Sequence, residues 1–266
     1  MIICSISTIP GRFNSLLIVL NSIIDQTVKP DLIVITISKY YPRSGKSYPE
    51  DDLKQLKNLE STFSIPVKII EREKDIGPTV KLISPLGELE LCDDDLIIIA
   101  DDDNVLYKET IRLLVEGYKK YGTAVYGIMG KIGEHIYVHG EKVKSDYQCV
   151  ELLGGYRGVL YPVKIFKTRQ EFLSFVCKFI EENKKKGLIA MHDDEIFSYY
   201  AEYENIERRV VSIPGNGNVL HYHPIQNDDG IFNDNRCYES LKIVKEVYEE
   251  LKTLGLWLKR KDSKIF

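Results

Sequence analysis

Three consecutive aspartates, Asp101, Asp102 and Asp103, follow directly after the most apolar segment of the chain, residues 96–100. Adjacent carboxylates repel one another unless a cation offsets their charge. In an extended chain, residues two apart point the same way, so Asp101 and Asp103 can face one ligand. Carboxylate oxygens suit Mg²⁺ or Mn²⁺, which complete their coordination shells with phosphate oxygens. The cluster therefore predicts a cation site next to a phosphate-bearing ligand, against the alternative of a solvated acidic turn, which is what we expect of residues 93–95.

A second acidic cluster, Asp193, Asp194 and Glu195, opens a predicted helix. A carboxylate within hydrogen-bond reach of a hydroxyl group can act as its general base. The alternative is that Asp193 or Asp194 only caps the helix. A general base is the functional hypothesis for this cluster.

Before both clusters in the sequence, Lys81 follows Asp75 across a Gly-Pro turn. Its ammonium group can reach a phosphate or a ribose as a point charge. A Gly-Pro turn followed by an exposed lysine is also common in loops. The stretch by itself is therefore weak evidence for a binding site.

A glycine-rich segment contains Gly154, Gly155, Tyr156 and Arg157. The two glycines permit close approach of a ligand, and the tyrosine and arginine can contact a sugar or a phosphate. A plain flexible loop explains the same composition equally well.

Two histidines, His221 and His223, alternate near the end of the chain. If the segment is a strand, both imidazoles point the same way, which suits a metal. A structural or solvent-facing pair is the alternative. The sequence has no GxxxxGK[ST] segment, so nucleotide binding of the P-loop kind is not supported.

The apolar patterns that must position these residues alternate between strand and helix in the first half of the chain. Predicted strands cover residues 2–7, 32–37, 67–70 and 96–100, and predicted helices cover residues 13–24, 51–63, 80–83 and 111–118. This alternation predicts an α/β fold with a mostly parallel central sheet flanked by helices. Open parallel sheets bind ligands at the carboxyl ends of their strands, which is where Asp101 falls.

The second half of the chain has a less regular pattern. Short strands are predicted at residues 124–128, 135–139 and 209–213, and helices at residues 172–180, from residue 193 and at residues 241–251. Residues 152–162 show no clear period. We therefore expect a smaller, mixed β/α half after the parallel sheet.

The bulk composition excludes several classes of protein. The 266 residues are 44% hydrophobic and 29% charged, which is ordinary for a folded chain. A net charge of −4 argues against broad nucleic-acid binding. No stretch approaches the ~18 apolar residues of a membrane span, and the N-terminus does not resemble a signal peptide. Five scattered cysteines favour a reducing compartment, so we expect a cytoplasmic protein, free or peripheral to a membrane.

Taken in chain order, these segments resemble an inverting glycosyltransferase of the GT-A fold, close to the large family two, over residues 1–225. The most specific match is that of residues 101–103 to the DXD metal motif. Residues 7–12 are similar to the first strand-to-helix loop, which lines the nucleoside pocket in that family. Residues 75–81 and 153–156 resemble a GP-x-x-K segment and an acceptor-side glycine loop found in a subset with bacterial and viral members.

The resemblance implies roles for individual residues. Asp193 and Asp194 take the place of the family's Glu-Asp pair, whose second acid is the catalytic base, so Asp194 is the implied base, with Glu195 leaving the register ambiguous by one. The implied donor-binding residues are Thr8, Pro10, Arg12, Asp75, Lys81, Asp101 and Asp102; the acceptor-side residues are Gly154, Gly155, Tyr156, Arg157, Asp193 and Glu195; and the metal ligands are Asp103, Asp101, His223 and His221.

The same resemblance implies the ligands and the domain organisation. The cofactor is Mn²⁺ or Mg²⁺, the donor is a nucleotide-sugar with UDP favoured, and the acceptor is a glycan or glycoconjugate. Residues 1–266 form one domain, with a nucleotide-binding half at about 1–123, an acceptor-side half at about 124–225, and a tail and helix at 226–266.

Three other classes of protein remain open from the residues alone. A sugar-1-phosphate nucleotidyltransferase also uses a parallel sheet and carboxylates, but its first loop is of the GGxGTR type, unlike residues 7–12. A metal-dependent nuclease or phosphatase needs a basic groove that is not apparent in the sequence. A non-catalytic module that binds a sugar-nucleotide is the third.

Overall fold

The fold is built on a mixed β-sheet to which both halves of the chain contribute strands. The computed structural model describes residues 1–42, 44–133, 136–213 and 235–253. The strands are β1 (Ile2–Ser7), β2 (Leu32–Ser38), β3 (Tyr40–Tyr41), β4 (Lys46–Ser47), β5 (Val67–Arg72), β6 (Leu96–Asp101), β7 (Val125–Gly127), β8 (Met129–Ile132), β9 (Ile136–His139), β10 (Tyr147–Val150), β11 (Leu152–Leu153), β12 (Val159–Pro162) and β13 (Arg208–Val211). The helices are α1 (Phe13–Ile24), α2 (Glu50–Asn58), α3 (Val80–Glu88), α4 (Thr110–Tyr121), α5 (Arg169–Lys185), α6 (Asp193–Tyr203) and α7 (Asn235–Thr253).

The main sheet has the strand order β10-β13-β7-β12-β6-β1-β2-β5. Strands β6, β1, β2 and β5 run parallel to one another, and β13 is parallel to β7. Strand β12 lies antiparallel between β6 and β7 and so joins the two halves of the chain in one sheet. The predicted α/β fold with a mostly parallel central sheet is confirmed. A separate small sheet has the order β11-β8-β9.

The central strands are mostly apolar because both faces of the sheet are covered. Along β6, Ile97 and Ile99 point into the core cluster that contains α5, α6 and α7, whereas Ile98 points into the one that contains α4. Cys4 and Ile6 of β1 pack with α1. The layers on the two faces fix the sheet, and with it the position of the strand ends.

Several helices differ in length from the sequence prediction. Helix α3 continues to Glu88 with Pro85 inside it, although the pattern predicted only residues 80–83. Helix α5 starts earlier than its apolar stripe, at a cap in which Thr168 Oγ1 accepts a hydrogen bond from the backbone N–H of Glu171 at 3.1 Å. The polar segment 40–49 contains the short hairpin of β3 and β4. Within the described ranges, no helix is both long and apolar enough to cross a bilayer.

Candidate functional site

Asp102 connects the loop after β1 to the end of β6. The two strand ends are neighbours, since Ser7 pairs with Asp101 in the parallel register. The Asp102 side chain turns into the protein, where it accepts hydrogen bonds of 2.7 Å from Thr8 Oγ1 and 2.7 Å from Arg12 Nη1. Burial raises the pKa of Asp102, while Arg12 and Thr8 oppose that shift. Asp102 therefore holds the β1–α1 loop in place.

Asp101 and Asp103 keep part of their side chains exposed, 33% and 29% respectively. Asp103 Oδ2 lies 3.3 Å from Arg12 Nη1, and its Oδ1 accepts a hydrogen bond from the side chain of Asn104. Burial, followed by the charges of Asp101 and Asp102, raises the pKa of Asp103 to about 6. The cluster thus carries negative charge that Arg12 offsets only in part.

A divalent cation fits this arrangement of side chains. Mg²⁺ and Mn²⁺ prefer oxygen ligands, and in phosphate-binding sites they commonly use one or two carboxylates together with phosphate oxygens. Asp101 and Asp103 are two partly exposed carboxylates at the end of a central strand. The charges of Asp101 and Asp102 add to the larger effect of burial in raising the pKa of Asp103, and a cation would relieve this repulsion. In the described part of the chain, no three histidine, cysteine or carboxylate side chains converge to hold an ion by themselves. The site therefore suits a cation whose coordination shell is completed by the oxygens of a bound phosphate group.

Lys81 links this cluster to the second one. Its Nζ lies 2.5 Å from Asp101 Oδ1 and 2.8 Å from Asp193 Oδ2, and its side chain is only 4% exposed. Burial lowers the pKa of Lys81, but the charges of Asp101, Asp193 and Asp194 outweigh that effect and hold the pKa well above its usual value. Lys81 is a buried cation shared by both clusters, not an exposed loop lysine.

The second cluster occupies the first turn of α6, where the helix dipole favours carboxylates. Because a helix turns by about 100° per residue, its three acids point in different directions. Asp193 is buried against Lys81, and Asp194 Oδ1 accepts a hydrogen bond of 2.9 Å from the backbone N–H of Gly155. Glu195 Oε2 lies 3.5 Å from His192 Nδ1. The three neighbours thus have three different partners.

Asp194 depends on the absence of a side chain at position 155. A Cβ added to Gly155 would come 2.7 Å from Asp194 Oδ1, closer than van der Waals contact allows. Burial, then the charge of Asp193, raises the pKa of Asp194 well above its usual value, while Lys81 acts in the opposite direction. Gly155 and Asp194 form one structural unit, whose carboxylate holds its proton more tightly than an exposed aspartate does.

The other residues of the glycine-rich segment face different partners. The backbone N–H of Gly154 donates to Met129 O at 3.0 Å, and the Tyr156 hydroxyl contacts the sulfur of the same methionine. Arg157 Nη1 lies 2.9 Å from Glu141 Oε1 in a largely buried ion pair. The structure brings Gly155 next to the predicted base and gives Arg157 an acidic partner within the protein.

The loop before α3, which leads to Lys81, packs against the segment before α6. Asp75 is buried, and its Oδ1 accepts a hydrogen bond of 2.9 Å from the N–H of Gly77. Gly77 has φ +90°, and a Cβ at this position would lie 2.2 Å from the carbonyl oxygen of Ala190. Only glycine combines this conformation with such a close approach. The Gly-Pro turn is therefore part of the contact between the two clusters.

Helix α7 contributes to the site in a way that the sequence analysis missed. Ser240 Oγ donates to Ile189 O at 3.1 Å and accepts from the N–H of Met191 at 3.2 Å. Nε2 of His192 lies 2.9 Å from the carbonyl oxygen of Cys237. These contacts hold the segment that leads into α6. The signal available was the i, i+3 spacing of Cys237 and Ser240, which places both on the buried face of α7, although the predicted helix began only at residue 241.

Three further expectations concern Asp95, Pro10 and the pair of His221 and His223. Asp95 was expected to lie in a solvated turn, and this was wrong: it is buried and binds the N-terminal ammonium group of Met1 at 2.5 Å and the N–H of Cys92 at 2.9 Å. The physical reason is that β6 begins beside the start of β1, so Asp95 meets the chain terminus. Pro10 is buried in the β1–α1 loop. His221 and His223 lie outside the described residues.

Comparison with solved structures identifies the architecture. The chain is similar to S. aureus TarS 1-349 in complex with UDP-GlcNAc (TM-score 0.59, 14% identity, 93% of this chain and 66% of that one). It is also similar to the mannosyltransferase PcManGT from Pyrobaculum calidifontis in complex with GDP-Man and Mn²⁺ (TM-score 0.53, 10% identity, 96% and 75%) and to GalNAc-T7 with UDP, GalNAc and Mn²⁺ (TM-score 0.55, 14% identity, 79% and 42%). The chain thus spans just under two thirds of the TarS fragment.

No protein-family model matches the chain, and no curated protein matches it. The similarity to solved structures lies well below 25% identity and therefore establishes the fold. This protein has the GT-A fold, as the sequence resemblance predicted. A fold does not by itself define a function, which depends on the side chains of the site.

Proposed function

We propose that this protein is a metal-dependent glycosyltransferase that moves a sugar from a nucleoside-diphosphate donor to a hydroxyl group, with inversion at the anomeric carbon. The observation that carries this proposal is the Lys81 bridge, in which one buried ammonium group lies within 2.8 Å of both Asp101 and Asp193. Transfer between two substrates requires the groups that act on each substrate to share one site. The bridge supports such a shared site.

On the donor side, Asp103 and Asp101 would hold Mn²⁺ or Mg²⁺. When bound, the cation would neutralise the charge of the donor diphosphate and the charge that develops on the leaving nucleotide. Thr8, Pro10 and Arg12 lie in the loop that Asp102 holds, and we assign this loop to the nucleoside. A UDP-sugar is our preferred donor, in keeping with the complexes of TarS with UDP-GlcNAc and of GalNAc-T7 with UDP.

Arg12 and Lys81 act differently here from the phosphate contacts that the resemblance implied. Both cationic groups are buried in ion pairs with carboxylates of the site. In this proposal the two cations stabilise the ionised form of neighbouring carboxylates and keep them in place. These carboxylates are those of Asp101, Asp102, Asp103, Asp193 and Asp194. The diphosphate is then bound mainly through the cation and through the backbone of the β1–α1 loop.

On the acceptor side, Asp194 acts as the general base. The Gly155 N–H holds Oδ1 of Asp194, which orients the other carboxylate oxygen for an acceptor hydroxyl. A carboxylate with a raised pKa accepts a proton more readily than an ordinary aspartate. The hydroxyl oxygen attacks the anomeric carbon opposite the diphosphate, the bond from that carbon to the diphosphate oxygen breaks, and the hydroxyl proton moves to Asp194.

The remaining expectations are part of the same proposal. Residues 1–123 serve the donor, residues 124–225 serve the acceptor, and α7, within residues 226–266, supports α6 from behind. We assign the protein to the cytoplasm, where its five free cysteines would stay reduced.

Product analysis tests the proposal against its nearest rival. The protein is incubated with UDP-, GDP- and dTDP-sugars and MnCl₂, with and without pooled glycans. We expect release of a nucleoside diphosphate that stops on addition of a chelator, whereas a nucleotidyltransferase would form or consume pyrophosphate.

Two variants localise the activity. Asp103→Ala should lose both cation and donor binding, while Asp94→Ala, which changes an exposed aspartate outside the site, should behave as wild type. Unaltered calorimetric donor affinity in Asp103→Ala would rule out the metal role of this residue.

A further inference from the structure

A cavity of ≈ 830 Å³ lies between the small sheet and helices α6 and α7, and Glu195, the next residue after the proposed base, is part of its wall. Its walls include Lys131 and Leu152 of the sheet, Glu195 and Tyr199 of α6, and Leu241 of α7. The volume falls within the range of about 300–1,000 Å³ that is usual for ligand sites. The cavity is separate from the ion pairs of Lys81, and the mechanism above does not use it.

The cavity adjoins the base through two chain segments. Glu195 follows Asp194 on α6, and Leu152 leads into the glycine-rich segment whose Gly155 binds Asp194. A ligand bound in the cavity and extending past Glu195 would therefore come close to the Asp194 carboxylate. This position is appropriate for an acceptor.

The charges around the cavity cancel. Among the described residues that line it, four are basic and four are acidic. Several are paired: Arg208 lies 3.8 Å from Glu202, and Lys252 lies 3.6 Å from Glu249. Such a lining offers many hydrogen-bond donors and acceptors without a net field. Hydroxyl groups can use both kinds of partner, whereas a phosphate-rich chain would need an excess of positive charge.

Aromatic rings form part of the same wall. Tyr199 and Tyr248 stack with their centroids 3.7 Å apart and an interplanar angle of 13°, and Tyr203 also lines the cavity. A tyrosine presents an apolar ring together with a polar hydroxyl group. This combination matches a pyranose, which has C–H faces and hydroxyl edges.

We propose that this cavity binds a neutral oligosaccharide, which is the acceptor of the transfer. The inference rests on the proposed function for the word acceptor, but sugar binding by the cavity can be measured without donor or metal. It also gives α7 a second role, as one wall of the acceptor site.

The test uses saturation-transfer NMR on the full chain, without metal or nucleotide. The probes are neutral hexasaccharides (maltohexaose, cellohexaose, chitohexaose, mannohexaose and xylohexaose) and, as anionic counterparts, hexagalacturonate and sulfated maltohexaose. We expect signal from at least one neutral hexasaccharide and none from the anionic ones. Signal from the anionic probes alone, or from no probe, would overturn the proposal.

A matched set of variants locates the binding. Leu241→Trp and Glu249→Trp place a large ring in the cavity from two positions on α7, so one can replace the other if either fails to fold. Glu250→Trp puts the same ring at the next exposed position, which does not line the cavity. Each variant's melting temperature is compared with wild type.

Both cavity variants should weaken hexasaccharide binding by roughly tenfold or more, and Glu250→Trp should bind as wild type. Equal binding in all three would place the sugar elsewhere and overturn the proposal. Donor hydrolysis by wild type, measured in parallel, separates the two hypotheses. Hydrolysis without sugar binding contradicts only the cavity assignment, while sugar binding without any nucleotide-sugar turnover supports the cavity and contradicts the proposed function.

Discussion

The protein contains two triplets of consecutive acids in its site, and they are arranged by different backbones. At the end of β6, the middle acid, Asp102, turns inward to Thr8 and Arg12, while Asp101 and Asp103 remain partly exposed. At the start of α6, it is the first acid, Asp193, that is buried. Each triplet therefore has one buried carboxylate paired with a buried cation, Asp102 with Arg12 and Asp193 with Lys81. The partly exposed Asp101 and Asp103 also lie beside these cations, at 2.5 Å from Lys81 and 3.3 Å from Arg12 respectively.

The difference follows from the periods of strand and helix. Alternation in the extended chain brings the first and third acids of a strand-end triplet to one side, where they can share a cation. The 100° step of a helix separates all three acids, so each acquires its own partner. Similar residues thus yield the proposed pair of metal ligands in one place and the proposed base in the other, with Lys81 between them.

The largest expected effect concerns the proposed base, Asp194. Asp194→Asn should lower kcat by about 10²- to 10⁴-fold, the usual contribution of general base catalysis, and leave donor affinity within a few fold. Glu195→Gln is the matched control for the register of the triplet. If turnover survives in Asp194→Asn and disappears in Glu195→Gln, the general base is Glu195 and the assignment to Asp194 is wrong.

The next effect concerns the bridge between the triplets. Lys81→Met leaves Asp193 buried without its cation, so the free energy of unfolding should fall by about 3–5 kcal/mol. Lys81→Arg keeps the charge and should lose less. Lys39→Met removes an exposed lysine paired with Glu73 and should leave the stability close to that of wild type. Chemical denaturation measures all three, and equal losses for Lys81→Met and Lys39→Met would show that the bridge does not stabilise the fold.

A smaller effect is expected where the helix triplet meets the glycine-rich segment. Gly155→Ala places a Cβ against Asp194 Oδ1 and should displace the carboxylate. We expect kcat to fall by about 10- to 100-fold with donor affinity retained, because displacement of a reacting group by a fraction of an ångström is costly. Gly87→Ala on α3, where an added Cβ meets nothing within 4 Å, is the control. Full activity of Gly155→Ala would contradict the role of Asp194 as the general base.

The smallest effect is a pH dependence that belongs to the strand triplet. Since the folded protein raises the pKa of Asp103 from 3.8 to about 6, Asp103 stabilises the metal-free protein at low pH, and this contribution of about 1–3 kcal/mol is lost as pH rises from about 4 to about 6. A cation would replace the lost proton. The rise in melting temperature on adding MnCl₂ should therefore be larger at pH 7.5 than at pH 5, and Asp103→Asn should remove most of this difference. A shift that is equal at both pH values would contradict the assignment.

The sequence patterns predicted the parallel strands, because a buried strand is recognisable from its own apolar residues. The apolar runs identified the parallel strands β1, β2, β5 and β6, and the position of Asp101 at a strand end followed from them. Strand β12 was not predicted, because residues 152–162 show no period and the strand is stabilised by its neighbours β6 and β7.

The contacts within the site were harder to foresee, since they join distant parts of the chain. Nothing near Lys81 indicates that its ammonium group meets Asp101 and Asp193, and nothing near Ser240 indicates that it supports the segment before α6. Sequence patterns could name most of the candidate residues. Only the assembled fold shows which of them touch.

Anomalous diffraction at the manganese absorption edge, from crystals grown with MnCl₂ and UDP, tests the central claim most directly. We expect one peak at about 2–2.5 Å from carboxylate oxygens of Asp103 and Asp101, on the side of the site that faces α6. Nucleotide bound with manganese located away from both aspartates would contradict this account.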